Sequence, residues 1–310
     1  MKNLYKYFTP IIAECNTGNL IKKEVYLGGW IIYNSVLKKK KFENNCIIIE
    51  KNLFENNLYQ GYKYLYNLCS KTQNPLILGG DHSISSSTLL SSLNKYRDNL
   101  TVIWIDSRPN ILTMKSSFNK NSNETALAMV LGHENEIHRD IINKYNNLCD
   151  SIVDIKRDGN YILQKDNQEI LSDYFLYENY NWTKYIINFL SSNNLIFCGI
   201  RDYGLYENKI ISHFNIRNLS PDEVIDFITK TENKIHISFD VSALDPYLLN
   251  STSFTSTCGL DIHDVSSIIT KSIETKKLIG LDIVEFNPNI GNLNKSVEVL
   301  KNIFEISEKN

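Results

Sequence analysis

Four segments of the sequence place an acid or a histidine at the end of an apolar run. Carboxylate and imidazole groups are common ligands of divalent metals such as manganese, so the four endings together indicate a metal-type cleft. Taken singly, Asp81 and Asp245 are more typical of carboxylates that fix a loop or cap a helix. The segments cover residues 79–83, 106–110, 238–246 and 282–288.

Apolar strand-like runs alternate with helix-like segments along the chain, and these elements must position the four endings. The alternation predicts one α/β domain over residues 1–310, a three-layer α-β-α arrangement with a mostly parallel sheet of about eight strands. Ligands of such sheets bind beyond the carboxyl ends of the strands, where the four segments fall. Strands are predicted over 10–14, 46–50, 75–79, 100–106, 194–200, 234–240 and 278–286, with a further strand or hairpin within 151–168. Helices are predicted over 26–37, 55–70, 83–93, 125–131, 134–146, 182–190, 221–229, 263–275 and 293–306.

Composition and charge exclude several classes of function. A chain of 310 residues with 42% hydrophobic residues can bury a large core. The net charge of −2 provides no field that would attract nucleic acid or an anionic membrane. No apolar run approaches the roughly 20 residues that span a bilayer, and the six cysteines lie far apart, as free thiols do. We therefore expect a cytoplasmic protein that binds neither nucleic acid nor membrane.

The same four segments resemble the signature blocks of the ureohydrolase family, which comprises arginase, agmatinase and formimidoylglutamase. The resemblance is carried, in order and spacing, by Gly-Gly-Asp-His-Ser at 79–83, Trp-Ile-Asp at 104–106, Ser-Phe-Asp-Val-x-x-Leu-Asp-Pro at 238–246 and Asp-Ile-Val-Glu-x-Asn-Pro at 282–288. Gly-Ile-Arg-Asp at 199–202 resembles a further family segment. The resemblance implies an arginase-like fold and a homo-oligomer, most commonly a trimer.

The resemblance also implies a site for two manganese ions, which activate a hydroxide for attack on a guanidinium carbon. On the family pattern His82, Asp106 and Asp240 keep the identities of metal ligands. The other three ligands of the pattern, a histidine and two aspartates, are replaced by Arg108, Asn110 and Ser242.

The substrate side of the family pattern is also altered. Glu285, which grips the guanidinium in the family, is retained, and so is the carboxylate-binding asparagine at Asn121. The proton-relay histidine of the family falls on Asn123, which does not shuttle protons near neutral pH. The acid expected for the substrate amino group is missing from its position, although Glu207 is close by, and Phe254 replaces a small turn and narrows the pocket.

Arg108 is the substitution on which the assignment turns. An arginine side chain stays protonated and cannot be a metal ligand. Our hypothesis is that its guanidinium stands in place of the second metal and bridges Asp106 and Asp240, with Glu285 as an alternative partner. We therefore expect no metal cofactor; the alternative is one weakly bound Mn²⁺ on His82, Asp106 and Asp240, assisted by the amide oxygen of Asn110.

Three functions are compatible with this sequence. The first is a catalytically inactive family member, a pseudoenzyme with a binding or regulatory role whose partner could be an active homologue. The second is a metal-dependent hydrolase of a guanidino or formimino compound with a degenerate single-metal site. The third is a sensor whose cleft binds a small molecule without turnover.

Overall fold

Short apolar runs form the strands of one sheet. The structure, a computed structural model, describes residues 8–16, 23–38, 45–113, 121–132 and 189–309, together with residues 6, 42, 116 and 117. Its strands are β1 Thr9–Ala13, β2 Ile47–Ile49, β3 Pro75–Gly79, β4 Leu100–Ile105, β5 Leu195–Cys198, β6 Arg217–Asn218, β7 Lys234–Asp240 and β8 Leu278–Val284.

The strand order places the four predicted segments side by side. The sheet runs β2-β1-β3-β8-β7-β4-β5-β6, and all its strand pairs are parallel. The strands β3, β8, β7 and β4, which precede or contain the segments, are therefore neighbours at the centre of the sheet. Ile105 of β4 pairs with Phe239 of β7, so the next residues, Asp106 and Asp240, emerge together at the same edge. The predicted parallel sheet of about eight strands is confirmed.

The helices connect the strands. They are α1 Gly28–Ile31, α2 Lys51–Asn56, α3 Leu58–Lys71, α4 Ser85–Tyr96, α5 Ala126–Leu131, α6 Leu205–His213, α7 Pro221–Lys230, α8 Ile262–Glu274 and α9 Leu293–Lys309. A π-helical segment, Ile32–Leu37, extends α1. Ser220 caps α7 as predicted, because its side chain accepts the Glu223 N–H and the Glu223 carboxylate returns to the Ser220 N–H.

Two hydrophobic cores, one on each face of the sheet, make the predicted three layers. Alternate residues of a strand face opposite sides, so Ile103 and Ile105 pack with α7, α8 and α9, whereas Val102 and Trp104 pack with α3, α4, α5 and α6. Trp104 is fully buried. Each large side chain buried in this way contributes roughly 1.5–3 kcal/mol to folding.

Several predicted boundaries change. The segment 55–70, predicted as one helix, is divided at Asn57. The helix α2 ends at Asn56 and α3 begins at Leu58, because the Asn57 side chain accepts the Gln60 N–H as an N-cap. The last strand ends at Val284 rather than at residue 286, because Glu285 has a positive φ of 64°. The strand β6 and helix α6 were not predicted. Of the predicted helix over 182–190 only residues 189 and 190 are described, and they are not helical. The elements predicted within 134–146 and 151–168 lie outside the described residues.

No helix in the described part of the chain is both long enough and apolar enough to cross a bilayer.

Candidate functional site

A close approach of two loops sets the geometry at the end of β3. The Gly80 N–H donates to the Ala13 carbonyl (3.1 Å), and a Cβ at position 80 would lie 1.6 Å from the Cys15 carbonyl oxygen. Glycine is therefore required there. Asp81 follows and accepts the Ser83 N–H at 3.0 Å, so its predicted role in fixing the loop is confirmed. Asp245 does the same for Tyr247 at 2.9 Å.

The next residue, His82, is the centre of a buried cluster. Its Nδ1 lies 3.1 Å from Asp106 Oδ2 and 3.2 Å from Asp240 Oδ2. The imidazole ring stacks on Trp104 with a centroid separation of 3.9 Å and an interplanar angle of 2°. One ligand atom from each of His82, Asp106 and Asp240 lies within 4.8 Å of the others. The three predicted metal-ligand residues therefore come together.

The cluster requires positive charge. Burial lowers the pKa of His82, but hydrogen bonds to Asp106 and Asp240 outweigh it and raise the value to about 10. Burial, and then the negative charge of Asp106, raise the pKa of Asp240. Two carboxylates that face one imidazole nitrogen at this depth need a cation between them, and either a proton on Nδ1 or a divalent ion supplies it.

A chain of hydrogen bonds fixes which nitrogen of His82 faces the carboxylates. His82 Nε2 lies 2.8 Å from Ser238 Oγ, and Ser238 Oγ lies 3.0 Å from Ser85 Oγ. Ser85 donates its only hydroxyl proton to Asp282 at 2.8 Å. Ser238 must then donate to Ser85, and His82 Nε2 must donate to Ser238. Nε2 therefore carries a proton, and Nδ1 is the nitrogen available to a metal.

The chain ends on a carboxylate that is itself held firmly. Asp282 is fully buried, accepts the Thr88 hydroxyl at 2.6 Å and lies 3.1 Å from His236 Nε2. His236 Nδ1 lies 2.8 Å from Ser92 Oγ. Asp282 thus supports His82 from within β8, although the sequence pattern placed it among the polar strand ends.

Asn110 and Ser242, two of the three replaced ligands, donate hydrogen bonds to the cluster. Asn110 Nδ2 donates to Asp106 Oδ2 at 2.8 Å and lies 3.3 Å from His82 Nδ1. The Ser242 hydroxyl donates to Asp106 Oδ1 at 3.1 Å, and the Ser242 N–H donates to Asp240 Oδ1 at 2.7 Å. Each carboxylate oxygen of Asp106 therefore already accepts a hydrogen bond from a neutral side chain, and Oδ2 also faces His82 Nδ1.

Arg108 takes a different position from the predicted one. Its guanidinium lies over the ring of Phe254, with Cζ 4.0 Å from the centroid. Within the described residues, no ion pair joins it to Asp106, Asp240 or Glu285, so the proposed bridge and the alternative pairing with Glu285 are both wrong. The carboxylates already have donors, and the ring face offers the planar cation a cation–π contact instead.

Glu285 links the main chain of His82 to the side chain of Asn123. Its Oε1 accepts the His82 N–H at 2.9 Å and the Asn123 Nδ2 at 3.3 Å. Burial, followed by the negative charges of Asp240 and Asp81, raises its pKa to about 8. Asn123, at the predicted relay position, is therefore in contact with Glu285, and its buried Oδ1 has no hydrogen-bond partner among the residues that the structure describes.

The other two predicted cleft residues make hydrogen bonds within their own loops. Asn121 Nδ2 donates to Glu124 Oε1 at 3.4 Å. Glu207 accepts the Gly204 N–H at 3.1 Å and so caps α6. Burial raises the pKa of Glu207 to about 7, although the positive charge of Arg108 acts in the opposite direction.

Sequence reasoning missed the role of Arg201. Its guanidinium donates to six backbone carbonyls at 2.7–3.4 Å, those of Gly199, Ser242, Ala243, Leu244, Ser256 and Thr257. It thereby holds both ends of the 242–257 loop, which carries Phe254. The Gly-Ile-Arg-Asp motif after a buried strand was the available signal, but it did not reveal the partners.

The donor set fits one metal ion better than two. One imidazole nitrogen and two carboxylates suit a single manganese-type ion. Asn110 presents its Nδ2 amide to the same atoms rather than the predicted amide oxygen, so it does not add a ligand in this arrangement. At the second position Arg108 points to Phe254, and Ser242 offers only a hydroxyl that Asp106 already accepts.

Comparisons with known proteins find arginases among the relatives of this chain. The arginase of Plasmodium falciparum (isolate 3D7) is 25% identical over 291 residues, which cover 88% of this chain and 60% of that protein. The arginase of Saccharomyces cerevisiae is 25% identical over 247 residues, covering 74% and 62%. This chain thus spans about three fifths of the length of these relatives.

Solved structures show the same fold. The arginase of Bacillus subtilis superposes with a TM-score of 0.70 at 20% identity, covering 96% of this chain and 98% of that one. Entamoeba histolytica arginase, solved with L-ornithine, gives 0.70 at 21% identity, covering 96% and 97%. Formimidoylglutamase of B. subtilis gives 0.67 at 14% identity, covering 97% and 86%. The family model described as the Arginase family matches residues 39–305, and a match over that much of the sequence means that this chain belongs to the arginase family.

Proposed function

We propose that this protein is a non-catalytic member of the arginase family, whose cleft holds one divalent metal ion and binds a small-molecule ligand without hydrolysing it. The observation that carries the proposal is the asymmetry around Asp106. On one side His82 Nδ1 and Asp240 converge on it, whereas on the other Arg108 lies over Phe254.

The metal-free expectation rested on Arg108 neutralising the two aspartates. Because the guanidinium does not pair with them, their charge remains for a proton or a metal to balance. A bound Mn²⁺ supplies Lewis-acid chemistry and lowers the pKa of water. His82, Asp106 and Asp240 would hold it, with Asn110 beside them.

The residues that would move protons argue against turnover. Asn123 cannot accept a proton near neutral pH as a histidine can. The Oε1 atom of Glu285 already accepts the His82 N–H and the Asn123 amide, which leaves it less free to bind a cationic substrate group.

A second candidate is a single-metal hydrolase of a guanidino or formimino compound. The retained identities of His82, Asp106, Asp240 and Glu285 favour it. The two candidates share the metal site and differ only in turnover.

The test is metal content measured together with product release. Protein purified without chelator and loaded with Mn²⁺ is analysed for metal stoichiometry, and urea is assayed with arginine and agmatine. We expect about one ion per chain and no urea above the metal-free control. Urea release dependent on Mn²⁺ would favour the hydrolase, and two ions per chain would contradict the proposed single-metal site.

For the assembled protein we propose a homotrimer, each chain a single domain, which could associate with an active homologue in the cytoplasm. The family resemblance supports the trimer. Sedimentation velocity provides the test, and a monomer at micromolar concentration would contradict it.

A further inference from the structure

Arg108 is a cationic group of the cleft whose side chain forms no ion pair with any described residue. Its half-buried guanidinium lies flat on Phe254, 4.0 Å from the ring centroid. Its backbone N–H donates to Asp106 and its carbonyl accepts Trp104 Nε1, so the main chain is fixed on both sides. Within the described residues its side chain has neither a hydrogen bond nor an ion pair, and the ring is its one contact of defined geometry.

The other arginines in comparable positions are satisfied by protein atoms. Arg201 donates to six carbonyls, among them Ser256 at 2.7 Å. Arg217, which also lies over a phenylalanine ring, Phe227, donates to the Asn193 carbonyl at 3.0 Å. Stacking uses the face of a guanidinium and leaves the N–H groups along its edge free. At Arg108 none of the described residues accepts a hydrogen bond from that edge.

The position of the pair relates it to the metal cluster. Arg108 follows Asp106 by two residues, and Phe254 follows Thr252, which pairs with Phe286 beside Glu285. The Arg108 charge also reaches Glu207, whose pKa it lowers against the larger effect of burial. The guanidinium therefore borders the same cleft as the cluster.

Charge balance indicates the sign of the missing group. Asp106 and Asp240 offset one divalent ion. Glu207, the acid that the Arg108 charge reaches, has its pKa raised to about 7 by burial and balances that charge only in part. A planar, fixed guanidinium with a free edge matches a carboxylate, which accepts two parallel hydrogen bonds. Phosphate is bulkier and would bring a second negative charge.

We propose that Arg108, oriented by Phe254, is the receptor for a carboxylate group of the ligand. The inference rests on the proposed function for the existence of a ligand, but it can be tested without metal. It assigns the ligand class as a carboxylate-bearing small molecule.

The experiment compares three probes of equal chain length: glutarate, 5-aminopentanoate and 1,5-diaminopentane. Their binding is measured by calorimetry on the full chain, with and without Mn²⁺. We expect both carboxylates to bind and the diamine not to bind. Arg108→Gln should weaken glutarate binding about tenfold or more, as the loss of a charge-assisted hydrogen bond does. Arg108→Lys, which keeps the charge but not the planar fork, should lose less.

Arg217→Gln is the matched control, because it removes an arginine from a phenylalanine ring outside the cleft. It should bind glutarate as the unchanged protein does. Phe254→Leu should weaken binding about threefold through loss of the stacked orientation. Thermal unfolding of each variant verifies that it is folded.

Glutarate binding unaffected by Arg108→Gln, binding of the diamine at least as tight, or no carboxylate binding to the folded protein would overturn the proposal. The two proposals fail separately. If no metal binds but carboxylate binding depends on Arg108, the carboxylate receptor is supported and the single-metal site is contradicted. If one Mn²⁺ binds and Arg108→Gln leaves glutarate binding unchanged, the single-metal site is supported and the carboxylate receptor is contradicted.

Discussion

The two sides of the cleft differ in how far their polar groups depend on one another. On the inner side His82 is buried, stacked on Trp104, and bonded through Ser238 to a chain that ends at Asp282. On the outer side Arg108 and Phe254 are partly exposed and contact each other through a ring face. The inner side is a network of hydrogen bonds around His82, whereas the outer side is a single contact between Arg108 and Phe254.

This difference bears on how each substituted ligand position is accommodated. Removing one member of a buried network leaves a partner unsatisfied, at about 1–3 kcal/mol per group. At the outer side water can replace a lost partner, so a ligand position there can change type at little cost to folding. Arg108, the one charged replacement, lies on the outer side, whereas the buried replacements Asn110 and Ser242 keep the inner network satisfied because both donate hydrogen bonds to Asp106.

The largest effect should come from breaking the inner side. Asp240→Asn removes a carboxylate that faces His82 Nδ1, so Mn²⁺ affinity should fall by more than about a hundredfold, beyond the range typical of indirect partners. Manganese titration followed by electron paramagnetic resonance measures it. Asp245→Asn, which alters a loop-fixing acid of the same segment, is the control and should keep its metal. Equal affinities of the two variants would contradict the assigned site.

Restoring the three replaced ligands should add a metal. The triple change Arg108→His, Asn110→Asp and Ser242→Asp restores the ligand types of the family pattern and should raise the stoichiometry from about one ion to about two. Elemental analysis measures it, with Arg108→His alone as the control that should stay near one. Urea production should remain absent because Asn123 is unchanged. Urea release from the triple variant would mean that Asn123 and Phe254 matter less than we infer.

Acidity should weaken metal binding. In the metal-free protein, hydrogen bonds to two carboxylates outweigh burial and raise the pKa of His82 to about 10, so Nδ1 carries a proton throughout the neutral range. The ion must displace that proton, so its affinity should increase as pH rises, by about tenfold per unit below this pKa. Calorimetry at pH 6, 7 and 8 in two buffers of different ionisation enthalpy measures affinity and proton release. An affinity independent of pH would exclude this competition.

A smaller effect should follow from removing one hydrogen bond of the chain that links His82 to Asp282. Ser238→Ala removes the acceptor of the Nε2 proton, so the ring is less firmly oriented and Mn²⁺ affinity should fall by about tenfold. Ser86→Ala is a matched control, since the hydroxyl of this buried serine bonds, within the described part of the chain, only to the Ser83 carbonyl in its own turn. Similar losses in the two variants would indicate a general packing effect instead.

The strand ends could be predicted from the sequence because each is a local pattern, and parallel strands bring local patterns to one edge. The direction of Arg108 could not. It depends on Ser242, distant in the chain, already donating to Asp106, and on Phe254 offering its ring. The hydrogen-bond chain behind His82 could not be predicted either. It depends on the register of β7 and the placement of α4, which bring Ser238 next to Ser85.

The contacts of Arg201 have a consequence for how this cleft can change over generations. Its guanidinium binds main-chain oxygens only, and every amino acid supplies the same oxygen. Side chains between Ser242 and Thr257 can therefore be exchanged while the loop keeps its anchorage. A pocket wall that is held by its backbone can exchange the side chains that face a ligand without losing its position, and Phe254 is a side chain of that wall.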